Sequence, residues 1–95
     1  MRQELPKSVS KYSSSPVFDQ DSVPQALRKE HRTKPGVWAK AIVSEGPIDF
    51  VLESEPDAPI TIQAGNFAIA EPEVPHHVNV TGPVKFQLEF YREEK

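Results

Sequence analysis

The sequence predicts an all-β fold, and two observations lead to that expectation. Its 95 residues include ten prolines, with no more than twelve residues between neighbouring ones. Because proline lacks the amide hydrogen and clashes with the preceding helical turn, a long helix has almost no room to form. From residue 37 onward, apolar and polar residues alternate with the period of two that is typical of half-buried strands. With 37% hydrophobic residues, the chain has enough apolar material for one small core.

Residues 1–24 predict an extended N-terminal arm, and residues 25–95 predict the β-barrel domain that follows it. The arm carries six serines and three prolines among scattered charges, a composition that buries little surface by itself. Its adjacent apolar residues Val17 and Phe18 are expected to pin the arm to the domain as an edge strand. From Pro24 the segment PQALRKEH predicts one helical turn, because proline suits the first helical position.

About six strands are predicted after the arm, and turn residues such as Gly46 and Gly82 separate them. The alternating segments are 37–43, 48–52, 60–62, 67–69, 78–80 and 84–91. The last segment alternates most strictly, with apolar residues at its even positions. Short strands at this spacing are typical of a small antiparallel sandwich or barrel.

Charge and composition exclude several classes of function. The formal net charge of -3 lacks the strong positive field that nucleic-acid binding normally requires, so we expect no nucleic-acid partner. No apolar run approaches the roughly 20 residues that span a bilayer, and the first residues contain no secretory signal, so we expect a cytosolic protein without membrane contact. Because the chain has no cysteine, a metal site would use histidine, carboxylate, amide or hydroxyl ligands.

Three histidines are the strongest candidates for a site, because neutral imidazole is a common ligand of divalent metals. In a strand that starts after Pro75, His76 shares a face with the apolar residues and is expected to point inward. His77 then points toward solvent. His31 lies in a charged segment ahead of the first long strand, and read alone it is a solvated loop residue. Buried histidines are also commonly satisfied by hydrogen bonds alone, so that reading of His76 stays open.

The segment GNFAIAEPEVPH resembles the second conserved motif of the cupins, in which a glycine lies eleven residues before a metal-binding histidine. Gly65 and His76 match those two positions. Glu71 and Glu73 stand where cupins usually have proline and glycine, and Val80 replaces the trailing asparagine. The first cupin motif is matched only in part, because His31 and the VSEG segment keep at most one of its three usual ligands. A full four-ligand cupin centre is therefore not expected.

A resemblance over residues 12–92 is closer. The segments SPVFDQDSVPQALRKEHRTKPGVWAKAIVSEG, AGNFAIAEPEVPHHV and GPVKFQLEFYR are similar to the small cupin-like domain of the YeaR and TehB N-terminal family, which is related to tellurite resistance. The family implies a compact double-stranded β-helix barrel and an association with tellurite or nitrosative stress. Longer TehB-type proteins carry a methyltransferase domain, and this chain has no glycine-rich nucleotide loop, so methyl transfer is not expected.

Carried over residue by residue, the resemblance implies a metal site. His31 and His76 occupy the family's histidine positions, and Glu73 matches the acidic position just before the second histidine. Glu89 matches another acidic position, but alternation places it opposite the apolar face of its strand. Whether Glu89 or His77 joins the site stays open.

Two main functional hypotheses follow, and a third is weaker. In the first, His31, Glu73 and His76 hold zinc, nickel or iron at the barrel mouth, and a small anion binds at open coordination positions. In the second, the protein is a non-enzymatic stress-response or interaction module whose histidines only complete hydrogen bonds. The third is a metal-dependent dioxygenase, which typically needs two histidines and a carboxylate. The arm also offers a surface for a homodimer.

Overall fold

A computed structural model describes residues 4–93, and these residues confirm the all-β prediction. They form eight strands and one short 3-10 turn, Gln25–Arg28. The strands are β1 (Val9–Ser14), β2 (Phe18–Asp19), β3 (Trp38–Glu45), β4 (Ile48–Leu52), β5 (Ile60–Ile62), β6 (Phe67–Ala70), β7 (His76–Asn79) and β8 (Lys85–Glu93). Within residues 4–93 no helix is long and apolar enough to cross a membrane.

The strands form two antiparallel sheets around one core. The larger sheet has the order β1-β8-β3-β6, with β2 also paired to β8. The smaller sheet has the order β5-β4-β7. Buried side chains from both sheets belong to one cluster, so the sheets enclose a common interior as in a small cupin-like β barrel.

Side chains of the larger sheet pack closely against the turn between β3 and β4. Phe86 and Val43 are paired across β8 and β3, and each side chain is only 1% exposed. Gly46 lies directly beside them: a Cβ at this position would be 2.9 Å from Val43 Cγ1 and 3.2 Å from Val84 Cγ2. A larger residue in this turn would therefore displace the core.

Strand β6 is apolar on both faces. The interior cluster contains Ala68 and Ala70, whereas Ile69, which is 1% exposed, is buried on the opposite face. Phe67 is 41% exposed, and the Lys40 ammonium lies 4.3 Å from the centre of its ring. Alanine, although small, fits the space inside the barrel at positions 68 and 70.

The N-terminal segment pairs along the larger sheet. Strands β1 and β2 both run antiparallel to β8, which agrees with the expected edge strand. Phe18 makes the attachment, with its ring centre 5.6 Å from that of Phe86, whereas Val17 is 56% exposed. Val23, 8% exposed, adds a second anchor in the core. The boundary between residues 24 and 25 stays a prediction, and residues 1–3 of the proposed arm lie outside the described residues.

Candidate functional site

Strand β7 places His76 inside the barrel, as the alternation predicted. His76 and Val78 are 7% and 6% exposed, whereas His77 and Asn79 point to the other face. The His76 ring lies against Phe50 of the neighbouring strand, with 5.2 Å between ring centres. His76 is therefore held between apolar side chains rather than in bulk water.

His31 reaches the same place through a backbone bridge. Its N–H donates to the His76 carbonyl and its carbonyl accepts from the His76 N–H, with both N–O distances 2.8 Å. This isolated antiparallel bridge sets the segment that follows the 3-10 turn against β7. The two imidazole rings meet edge to face, with 5.5 Å between their centres and 84° between their planes.

The hydrogen bonding of His76 determines which of its ring nitrogens is available. Nδ1 lies 2.8 Å from the Val74 carbonyl oxygen, so Nδ1 carries the proton and donates it. Nε2 then carries the lone pair. Burial lowers the pKa of His76 below its ordinary value of 6.5, and nearby His31 lowers it further, although the Val74 hydrogen bond acts in the opposite direction. The ring is consequently neutral at pH 7.

A small cavity opens beside the two rings. It offers about 30 Å³ to water-sized molecules, enough for a water molecule or a metal ion. Four alanines form its floor, because the β3–β6 register places two of them directly opposite the other two: Ala39 faces Ala70 and Ala41 faces Ala68. Side chains this short leave space that valine or leucine would fill. Sequence analysis missed this floor, although its signal is present as small residues at alternate positions in WAKA and FAIA.

Thr33 completes the segment that carries His31. It is 8% exposed and lines the cavity. Its Oγ1 donates to the Val37 carbonyl at 2.7 Å, so the hydroxyl is satisfied within its own loop. This bond fixes the loop that follows His31 and thereby supports the position of that ring.

The third predicted ligand is elsewhere. Glu73 is exposed in the turn before β7 and does not line the cavity. Its φ of 63° lies in the left-handed region that favours glycine, which agrees with the glycine that cupins usually have at this position. Among residues 4–93 no three His, Cys, Asp or Glu side chains form a group that could hold a metal. The structure thus brings His31 and His76 together and leaves Glu73 apart.

The two other candidates also lie outside the cavity. His77 Nδ1 contacts the Glu53 carboxylate, and both side chains are partly exposed. Glu89 accepts a hydrogen bond from the Tyr91 hydroxyl at 2.7 Å and lies 3.4 Å from the Lys11 ammonium. Partial burial and the Glu89 carboxylate together raise the pKa of Tyr91 to about 12. Glu89 therefore takes part in a network on the outer face of the sheet.

His31 and His76 are the two residues of the cavity whose side chains could hold a metal ion. With metal–nitrogen bonds of 2.0–2.1 Å and tetrahedral angles, two ring centres on one zinc ion lie about 5 Å apart. The observed separation of 5.5 Å is close to this value. A neutral His76 whose Nδ1–H is bound to a backbone carbonyl has the orientation that metal-binding histidines commonly show. Two nitrogens leave other coordination positions to small ligands.

The fold and the paired histidines define a small cupin-like domain with an interior cavity. A cupin-2 domain protein from Shewanella frigidimarina has the same fold, with a TM-score of 0.57, 16% identity, and coverage of 96% of this chain and 76% of that one. The model of the TehB-like domain matches residues 13–88. The chain belongs to the TehB-like domain family.

Similar proteins and solved structures agree with this assignment. The uncharacterized protein YeaR of Escherichia coli K12 is 27% identical over 97 aligned positions, which cover 93% of this chain and 82% of YeaR. A crystal structure of a protein from the same strain superposes with a TM-score of 0.88 at 25% identity, covering 97% of this chain and 98% of that chain. TehB from Haemophilus influenzae superposes with a TM-score of 0.82 at 27% identity, and the match covers 92% of this chain and 32% of TehB.

Proposed function

We propose that this protein is a cupin-like binding domain in which His31 and His76 hold a divalent metal ion, zinc, nickel or iron, and a small anion completes the coordination. The observation that carries the proposal is the meeting of two imidazoles at an interior cavity, 5.5 Å apart. A metal bound there would supply a Lewis-acidic centre for an oxyanion or water.

The cavity restricts what the anion can be. Apart from the histidines and Thr33, the residues that line it are apolar, and its volume is only about 30 Å³. An anion held there would need to be small, and its charge would need compensation from the metal because no cationic side chain among residues 4–93 lines the cavity. These features support a monoatomic or few-atom anion over a large substrate.

A cellular role in the response to tellurite or nitrosative stress, in the cytosol, is part of the same proposal. It rests on membership of the TehB-like family and on the similarity to YeaR over most of both chains.

The edge strand β1 is the surface we propose for a homodimer, and sedimentation equilibrium would show whether the chain doubles its mass.

Zinc titration by calorimetry tests the metal site, with metal removed beforehand by chelator. The wild-type chain is expected to bind one equivalent, and His76→Ala and His31→Ala should each lower the affinity at least tenfold. His77→Ala is the matched control, since its ring lies on the opposite face of the same strand. If wild type and His76→Ala bind equally little zinc, the metal proposal fails.

The alternative function is a non-enzymatic interaction module without metal. It is favoured by the lack of a third protein ligand among residues 4–93. A stoichiometric partner whose binding is unchanged by His76→Ala and by chelator would select this alternative. A dioxygenase centre with two histidines and a carboxylate has less support, because Glu73 is exposed outside the cavity.

A further inference from the structure

A second, larger cavity lies on the surface and shares no residue with the histidine cavity. This basic groove has a volume of about 870 Å³ and is formed by two parts of the chain, residues 34–38 and the paired ends of β1 and β8. We propose that the basic groove binds an organic phosphate that carries a planar ring, of which a nucleoside monophosphate is a simple example. The proposal is independent of the metal site.

Arg92 and Tyr12 form the first recognition element. The Arg92 guanidinium carbon lies 4.2 Å from the centre of the Tyr12 ring, a cation–π contact. Stacking of this kind holds the guanidinium while leaving its in-plane N–H donors available for a phosphate. The position of Tyr12 has a local cause: the β1–β8 register shifts between Lys11 and Ser13, so Tyr12 is the bulged residue.

Lys34 supplies a second positive charge from the other part of the groove. It begins a turn in which the Val37 N–H donates to the Lys34 carbonyl at 3.0 Å. Pro35 and Gly36 occupy the central positions, and the Gly36 φ of 78° is the value a type II turn requires. A turn of this type holds the backbone of the segment rigidly, so the site of Lys34 is preformed.

The charge balance of the basic groove favours an anion. Among the described residues, three cationic side chains line it, Lys11, Lys34 and Arg92, against the single carboxylate of Glu93. Lys11 is compensated by Glu89 at 3.4 Å, but among residues 4–93 no carboxylate lies within ion-pair distance of Lys34 or Arg92. Local positive charge on a molecule of net charge -3 concentrates phosphate at this groove.

Size and aromatic lining favour a ligand larger than inorganic phosphate. A volume of about 870 Å³ is in the range of pockets that take drug-sized ligands, roughly 300–1,000 Å³. Tyr12 lines the groove and is 44% exposed. Its ring provides a surface on which a base or an aryl group stacks.

Fluorescence of Trp38, the single tryptophan of the chain, reports binding directly. The full chain is titrated with AMP, with adenosine, which has the ring but no phosphate, and with ribose 5-phosphate, which has the phosphate but no ring. AMP should change the fluorescence saturably, and both fragments should bind at least tenfold more weakly. Equal binding of AMP and adenosine, or no saturable response to AMP, would overturn the proposal.

Variants that remove single positive charges test whether AMP binds in the basic groove. Arg92→Gln and Lys34→Gln should each weaken AMP binding about tenfold, because each removes a charged hydrogen bond to phosphate. Lys85→Gln is the matched control: Lys85 is an exposed lysine paired with Glu45 at the opposite end of β8, about 23 Å along the strand. Equal losses in Lys85→Gln and Arg92→Gln would mean general charge attraction and would also overturn the proposal. Chelator should leave AMP binding unchanged.

Discussion

His76 and His77 are neighbours in β7, yet the inner and outer faces of the barrel give them different chemistry. On the inner face, His76 is 7% exposed, bound to a backbone carbonyl through Nδ1, and kept neutral by burial, which lowers its pKa. On the outer face, His77 contacts the Glu53 carboxylate at the edge of solvent. The chemistry of these two histidines therefore depends on the face of β7 that each occupies. Only on the inner face can the lone pair of an imidazole nitrogen point into the cavity.

The largest expected effect on the free energy of unfolding comes from placing a lysine on the inner face of β7, and a lysine on the outer face is the comparison. His76→Lys buries an ammonium without a partner and should lower the free energy of unfolding by about 3 kcal/mol. His77→Lys places an ammonium beside the Glu53 carboxylate at a partly exposed position and should change the free energy of unfolding by less than about 1 kcal/mol. Urea unfolding of the two variants measures the difference. Similar losses in both would show that the two faces are equally accessible to water.

The alanine floor offers a second comparison of the two faces, on β6. Ala68→Leu adds three carbons to a cavity of about 30 Å³, so we expect it to lower the free energy of unfolding by about 2 kcal/mol. It should also weaken zinc binding by displacing the rings. Phe67→Leu on the exposed face is the control, with less than about 1 kcal/mol of change. If Ala68→Leu folds and binds zinc as tightly as wild type does, the alanine floor does not contribute to the zinc site.

Acid should destabilise the metal-free protein through His76. A pKa lowered in the folded state means that the unfolded chain takes up the proton first as pH falls. The contribution of His76 is thus complete above pH 6.5 and is lost as pH falls toward the folded pKa, with a slope of at most about 1.4 kcal/mol per pH unit. His76→Gln should reduce this slope in unfolding measurements between pH 7 and pH 5. A slope identical to wild type would contradict the burial of a neutral ring.

The smallest expected effect belongs to the contact between His77 and Glu53 on the outer face. His77→Gln removes the partly exposed partner of Glu53 and should lower the free energy of unfolding by about 0.5 kcal/mol. Thermal unfolding of the variant and of the wild type checks this value. A loss above about 2 kcal/mol would mean that the contact between His77 and Glu53 also stabilises the packing on the inner face of β7.

Much of the fold could be predicted from the sequence. The alternation in 84–91 predicted β8, and it also put Glu89 on the outer face, where the structure has it bound to Tyr91. The same reasoning oriented His76 correctly. It did not decide which face of β6 is the inner one, because Ala68 and Ile69 are both apolar and both buried.

The candidate site could be predicted from the sequence only in part. The nearness of His31 to His76 depends on a bridge between residues 45 positions apart, and no local pattern encodes it. Glu73 was selected by its position before the histidine, but its left-handed φ shows a backbone role in the turn. The basic groove was also missed, since Tyr12, Lys34 and Arg92 are far apart in the chain.

Local residue order, through side-chain alternation and proline spacing, determined that this chain is made of short strands and that His76 faces inward. Which strands pair, and therefore which distant side chains share a cavity, was decided by the tertiary structure. The physical reason is that alternation depends on neighbours two residues apart, whereas a cavity depends on the volume left when two whole sheets close around a common core.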